Sequence, residues 1–178
     1  HDIPVIVDSA GQIYPIDLIG KYIRLGADYQ CFASKYMGAP QSTGFVLGTE
    51  EAINKLSFQT FVSYEGRRIR GIGRPQKIDR QEMIGVVAAV DRWVSINHEE
   101  RLADFENRSQ TMVNLLDGTP GLKAQLIENI IGHKAFGVNI TIDSEISGIT
   151  ADDLVLKLKE GDPPIWTRTG PKGDIDIH

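Results

Sequence analysis

Three shortages narrow what this sequence can do. It holds one cysteine, Cys31, in 178 residues. A single thiol allows no internal disulfide and no multi-cysteine metal site, and its apolar neighbours mark it as a buried structural thiol. No apolar run approaches membrane-spanning length and no export signal is visible, so no membrane partner and a cytoplasmic location are expected. Basic charge is also short. Nineteen Lys and Arg stand against 24 Asp and Glu, a net charge of −5. Sequence-independent nucleic-acid binding neutralises phosphates with Lys and Arg, so this balance argues against it. The apolar share, 41%, suffices for a packed core, with room for one domain and part of another. The sequence begins without Met, directly before a strand, and stops at Ile177-His178 within what reads as another. A fragment of a longer protein is the expectation.

What is present is organised around Phe32 to Gly44, where Lys35 stands between an apolar run and a turn rich in Gly and Pro. Upstream, Pro4 to Val7 is a short β-branched run that reads as a buried strand ending in Asp8. Ile16 to Leu25 has near-helical apolar spacing, with Gly26 as its stop. Tyr29 to Ala33 reads as a second strand. Strand, helix, strand in this length is a βαβ unit with parallel strands. Ligands of open parallel sheets sit beyond the carboxyl ends of the strands, and Asp8 and Lys35 both lie there.

Thr43 to Gly48 reads as a third strand and Thr49 to Phe58 as a helix with acidic residues in its first turn. Gln59 to Lys77 reads as a loop carrying Arg67, Arg68, Arg70, Arg74 and Lys77. Asp79 caps a long helix, with Glu82 completing a capping box. Helical spacing extends to Leu116, with a break near Asn97 as one alternative. Leu122 to Ile127 and Val138 to Ile142 alternate as strands. Thr150 caps a helix that ends by Gly161. Ile165 to Thr167 and Asp174 to Ile177 read as further strands, which makes a small α+β lobe from about Gly121. The expected division is residues 1–78, the end of a cofactor-binding large domain; 79–120, a linking helix region; and 121–178, an incomplete small α+β domain.

Pyridoxal phosphate needs an amine, an anion at its ring nitrogen and donors for its phosphate. Lys35 offers the amine as a Schiff base, and its neighbours Phe32, Ala33, Tyr36 and Met37 suggest partial desolvation, which would make it more nucleophilic. Asp8 offers the anion. Ser34 and Thr43 offer hydroxyls, and Gly38 and Gly44 offer N–H groups, but no Gly-rich turn opens a helix. Taken alone, Asp8 also suits a turn or cap, and Lys35 a solvated loop. His98 and His133 are weaker candidates for bases. The arginine cluster suits a phosphate or tRNA contact and, equally, ordinary surface ion pairs.

Pro4 to Ala10, Gly26-Ala27-Asp28, Ser34-Lys35, Gly38, Pro40-Gln41 and Gly44 together resemble the large domain of fold-type I pyridoxal phosphate enzymes. Asp8 to Gln12, the Gly-x-Pro-Gln turn and Gly73 to Glu82 resemble one branch more closely. That branch holds selenocysteine synthase (L-seryl-tRNA selenium transferase) and the D-glucosaminate-6-phosphate ammonia-lyases. The resemblance implies an α/β fold: the C-terminal part of a mostly parallel large domain, a long helix and a small α+β domain. It implies Lys35 as the Schiff-base lysine, Asp8 as the partner of the ring nitrogen, Ala10 against the ring and Ser34 among the cofactor contacts. It places Arg168, with Arg74, on the substrate's acid groups, and it implies no metal.

The activity this implies is α,β-elimination on an amino-acid or amino-sugar-acid substrate, as in an ammonia-lyase. The alternatives are selenium transfer on seryl-tRNA, under which alone tRNA is a partner, and a non-catalytic domain that binds a partner. A homodimer or higher homo-oligomer is expected, since such sites usually lie at a dimer interface. The sequence lacks the approach to the lysine common in this branch, the main phosphate loop and the tRNA-gripping region. The 178 residues alone are therefore expected to be inactive.

Overall fold

The computed structural model describes residues 3–68, 71–127 and 137–177, the side chain of Arg67 excepted. Strand β1 (Ile6–Asp8) runs parallel to β2 (Tyr29–Ala33), with Asp8 level with Cys31. The connection between them is less regular than its apolar spacing suggests. Ile16–Leu18 is a 3-10 turn, and only Lys21–Arg24, α1, is α-helical. Gly20 separates the two at φ +78, a left-handed conformation that cannot continue a helix. Strand β3 (Gly44–Gly48) pairs antiparallel with β2, so the sheet is mixed, in the order β1-β2-β3.

Thr49 caps α2 (Glu50–Ser57) through the Ala52 N–H. The stretch expected to be one loop contains a helix, α3 (Phe61–Arg67), capped by Thr60. Asp79 and Glu82 form the expected capping box at the start of α4 (Arg80–Ser95). The long helix then breaks. Asn97 accepts from the Glu99 and Glu100 N–H groups and so starts a new helix, α5 (His98–Leu116). Contacts divide the chain here, into His1–Ile96 and Asn97–His178, inside the stretch expected to be a linking region.

In the first unit, alternate residues of the sheet face α4. Phe32 is buried and stacks on Phe45 at a centroid distance of 4.9 Å. Ile13, Met37, Ala89 and Trp93 complete this core. Burial of such side chains contributes roughly 1.5–3 kcal/mol each. The opposite face carries Asp8, Cys31 and Ala33. Helix α2 meets it at the start of β2, where the Tyr29 hydroxyl donates to the Ala52 carbonyl at 3.0 Å.

The second unit holds a three-stranded antiparallel sheet, β4 (Leu122–Ile127), β5 (Gly137–Ile142) and β6 (Ile175–Ile177), ordered β4-β5-β6. The short helix α6 (Ser144–Ser147) follows β5, and Thr150 caps α7 (Ala151–Glu160). Register puts Leu122 beside Ile142, Ala124 beside Ile140, and Val138 beside Ile177. All six lie on the face packed with Met112 and Leu116 of α5 and Leu154 of α7. The other face is polar, which is why the alternation was legible. Ile165 to Thr167 is not a strand. The Ile165 N–H bonds back to the Leu158 carbonyl at 2.8 Å instead of joining a ladder. No helix among the described residues is long and apolar enough to cross a membrane.

Candidate active site

The carboxyl ends of β1 and β2 bring the two central residues together. The pairing continues past both strands: the Ser9 N–H donates to the Cys31 carbonyl at 2.9 Å, and the Ala33 N–H to the Ala10 carbonyl at 3.0 Å. Ala10 is therefore level with Ala33, the residue before the 3-10 turn Ser34–Met37 that carries Lys35. Adjacent strands lie about 4.8 Å apart. Asp8, Ala10 and Lys35 thus share one corner of the sheet.

Helix α4 holds both loops of this corner from behind. The Trp93 Nε1–H donates to the Ile13 carbonyl at 2.9 Å and pins the segment after Asp8. Met37 anchors the lysine turn in the same core. Farther along, the Ser42 hydroxyl donates to Glu82 Oε1 at 2.9 Å. Gly85 makes this approach possible, since a Cβ there would stand 2.9 Å from Pro40 Cδ. The turn ends at Gly38, whose φ of +92 strains any other residue type.

Asp8 is exposed, and its Oδ1 accepts the Ala10 N–H at 3.0 Å. That bond orients the carboxylate within its own turn. Lys35 is exposed too, which corrects the expected desolvation: Phe32 and Met37 point into the core, away from it. Its Nζ stands 5.3 Å from the Tyr36 ring centroid and forms no ion pair among the described residues. Sequence reasoning used Tyr36 only as an apolar neighbour. In fact its ring is 52% exposed and packs over Gly11, where a Cβ would come within 3.5 Å. It is a wall of the site, and the glycine in Asp8 to Gln12 was the signal for it.

Ser34 is fully buried, and its hydroxyl has no partner among the described residues. It occupies the inward position next to Lys35. Thr43 is buried as well and donates to the Pro40 carbonyl at 2.7 Å.

Cys31 is half-buried on the Asp8 side of the sheet, not fully enclosed. Burial pushes its thiol above the ordinary value, and the Asp8 carboxylate pushes it further. Alkylation by iodoacetamide should show a midpoint above that of an unperturbed cysteine. Asp8→Asn should move that midpoint down, because the neighbouring charge no longer opposes the thiolate. An unchanged midpoint would separate the two side chains.

The remaining candidates lie elsewhere. Arg74 is exposed, its guanidinium 3.7 Å from the Tyr64 ring centroid, and Lys77 Nζ lies 4.0 Å from that of Phe61. The two cations of the basic stretch are thus laid over α3. Arg70 and the Arg67 side chain lie outside the described residues, as does His133. His98 is the buried first residue of α5, where its Nδ1 accepts from Arg101 Nε at 3.1 Å. That makes it part of a helix end and not a base facing solvent. Arg168 is exposed in the second unit, and Asp8 and Lys35 belong to the first. No group of three or more potential metal ligands occurs among the described residues.

No family model matches the chain. It is 29% identical over 179 residues to a 5′-C-glycyluridine monooxygenase-decarboxylase of a Streptomyces species, covering 100% of this chain and 40% of that protein. It is 25% identical over 169 residues to a D-glucosaminate-6-phosphate ammonia lyase of Salmonella typhimurium, covering 94% of this chain and 41% of that protein. Among solved structures it resembles D-glucosaminate-6-phosphate ammonia-lyase, with a TM-score of 0.73, 22% identity, and coverage of 99% of this chain and 44% of the other. A cysteine desulfurase of Escherichia coli follows at a TM-score of 0.50 and 17% identity, covering 97% and 42%. The chain therefore spans about two-fifths of the length of the curated relatives it matches. Its fold is mixed α/β and is that of the C-terminal region of fold-type I pyridoxal phosphate enzymes.

Proposed function

We propose that this chain carries the lysine-bearing part of a pyridoxal phosphate-dependent enzyme that removes an α-proton and a β-group from an amino-sugar acid, as an ammonia-lyase does. One observation carries the reading: Asp8 and Lys35 stand at the adjacent carboxyl ends of a parallel pair, both exposed, with their loops held by α4. The residues fit the cofactor. Asp8 Oδ1 is taken by its own turn, and its Oδ2 is left for a protonated ring nitrogen. Lys35 Nζ has no ion-pair partner among the described residues, and the residue level with Ala33 at the same corner is the small Ala10.

When bound, pyridoxal phosphate supplies an electron sink for the substrate's α-carbon. Lys35 Nζ would hold the cofactor covalently and would be the group that takes the substrate's α-proton. Asp8 would keep the ring nitrogen charged. Tyr36 would shield Lys35 from water on one side. Arg74 and, in the second unit, Arg168 are exposed guanidiniums, each suited by itself to an acid or phosphate group.

A second reading is favoured by the likeness to the Streptomyces relative, 29% identical over 100% of this chain. The Streptomyces relative is named for a nucleoside that carries a glycyl group and for decarboxylation with oxygen. Here the substrate would lose its carboxylate, with Asp8 and Lys35 in the same roles. The test is to incubate the full-length polypeptide, as made in the cell, with pyridoxal phosphate and each substrate in turn. Ammonia and a 2-oxo acid from D-glucosaminate 6-phosphate are expected. Oxygen uptake with 5′-C-glycyluridine would establish the second reading. No reaction with either, together with seryl-tRNA binding, would favour selenium transfer. No cofactor uptake at all would leave a non-catalytic binding domain.

A further inference from the structure

The loop that follows Asp8 is held from two sides. Helix α4 holds its middle, through Trp93 and Ile13. Its start is held by a side chain with no part in the chemistry proposed above. Gln30 is the second residue of β2, stands level with Val7 of β1 and is 0% exposed. Its Nε2 donates to Ser9 Oγ at 3.1 Å and to the Leu18 carbonyl at 2.9 Å. A carbonyl only accepts, so the nitrogen of the amide is the end that faces Leu18. One buried group therefore ties the first residue after Asp8 to the 3-10 turn of the connection.

We infer that Gln30 is a positioning residue for Asp8 and acts on it through Ser9. The inference deepens the cofactor reading above by adding a residue to its site, and its consequence for turnover rests on that reading.

Ser9 is the middle residue of the turn in which the Ala10 N–H orients Asp8 Oδ1 at 3.0 Å. Where Ser9 lies decides whether that N–H comes back to the carboxylate. Every polar atom of Ser9 is engaged. Its N–H donates to the Cys31 carbonyl at 2.9 Å, its carbonyl accepts from the Gln12 N–H at 2.6 Å, and its hydroxyl accepts from Gln30. The first two bonds join backbone groups that any residue carries. The third depends on Ser at position 9 and Gln at position 30.

Packing alone does not account for an amide at this place. Phe32, next on the same side of β2, is apolar and enters the core. Gln30 Oε1 has no partner among the described residues, and a buried acceptor left unpaired disfavours the fold. What accounts for the amide is what its nitrogen holds. Successive strand residues face opposite ways, so Gln30 lies across the sheet from Cys31, and its influence on the Asp8 side passes through the turn.

The test reads the Asp8 carboxylate through the Cys31 thiol, which that charge opposes, and it needs no cofactor. Two variants of the full-length polypeptide break the bond from either end. Gln30→Met keeps the length and removes the amide, and Ser9→Ala removes the acceptor. Circular dichroism checks that each is folded. Each should lower the iodoacetamide midpoint of Cys31 part of the way to the Asp8→Asn value, as the released carboxylate moves toward solvent. In an Asp8→Asn background neither should move it further, because no charge is left to misplace. A shift of equal size in that background would show that the variants loosen the sheet around Cys31, and it would overturn the inference. An unchanged midpoint in a folded Ser9→Ala protein would do the same. With cofactor bound, the misplaced carboxylate should lower kcat by on the order of 10- to 100-fold, with KM and retained cofactor close to the parent's. A parental kcat alongside a shifted midpoint would remove the positioning role. Retained cofactor with an unmoved Cys31 midpoint removes this inference and leaves the proposed function. The expected midpoints in a polypeptide that takes up no cofactor keep the hold of Gln30 on Asp8 and remove the proposed function.

Discussion

Lys35→Ala is expected to leave the protein folded and unable to retain pyridoxal phosphate through dialysis. The fold should tolerate the change because the side chain is exposed and its one described contact is the Tyr36 ring. Surface substitutions of this kind usually alter stability by no more than about 0.5 kcal/mol. The chemistry should not tolerate it. In the proposed site the substitution would remove both the covalent anchor and the group that takes the α-proton. Loss of a positioned acid–base group alone costs roughly 10²- to 10⁴-fold in rate, and loss of the anchor adds to that. The measurement is visible absorbance after dialysis of the full-length polypeptide, with and without the substitution. Borohydride reduction and peptide mapping give the independent check. Label on a lysine other than Lys35 would sink the assignment.

Asp8→Asn should separate binding from turnover. Asn keeps the shape and an oxygen that can accept the Ala10 N–H, so the turn after β1 should persist. What would be lost is the charge that the proposed site sets against the ring nitrogen. A charge-assisted hydrogen bond of this type is worth on the order of 1.5–3 kcal/mol. Part of that should appear as weaker cofactor binding, since in the proposed site Lys35 would still hold the cofactor covalently. The larger effect falls on turnover, because a neutral ring nitrogen no longer draws electrons from the α-carbon. Retention of most cofactor with a large fall in kcat is the expected pattern. A kcat close to that of the parent would count against the role of Asp8. The same substitution should lower the Cys31 midpoint, so one variant reads the carboxylate through two separate probes.

The polypeptide itself specified what short-range interactions decide. The capping boxes at Asp79–Glu82 and Thr150–Asp153 form within a single turn, so they were legible at the level of residue order. Alternation in β4 and β5 was legible because one face packs on α5 and α7 and the other meets water. The parallel pair carrying Asp8 and Lys35 followed from strand, helix and strand lengths and the handed crossover they impose. Contacts between residues far apart in sequence decided the rest. Trp93 reaches Ile13 across 80 residues, and that bond sets where the segment after Asp8 lies. Lys35 faces solvent and Ser34 the interior because Phe32 and Met37 enter the α4 core and set the facing of the turn. Gln59 to Lys77 read as loop, yet Thr60 caps a helix over Phe61–Arg67 within it, and Arg74 and Lys77 lie over its Tyr64 and Phe61 rings. Ile165 to Thr167 has the residues of a strand, but a strand needs a neighbour. The Ile165 N–H turns to the end of α7, and Trp166 is left in the open.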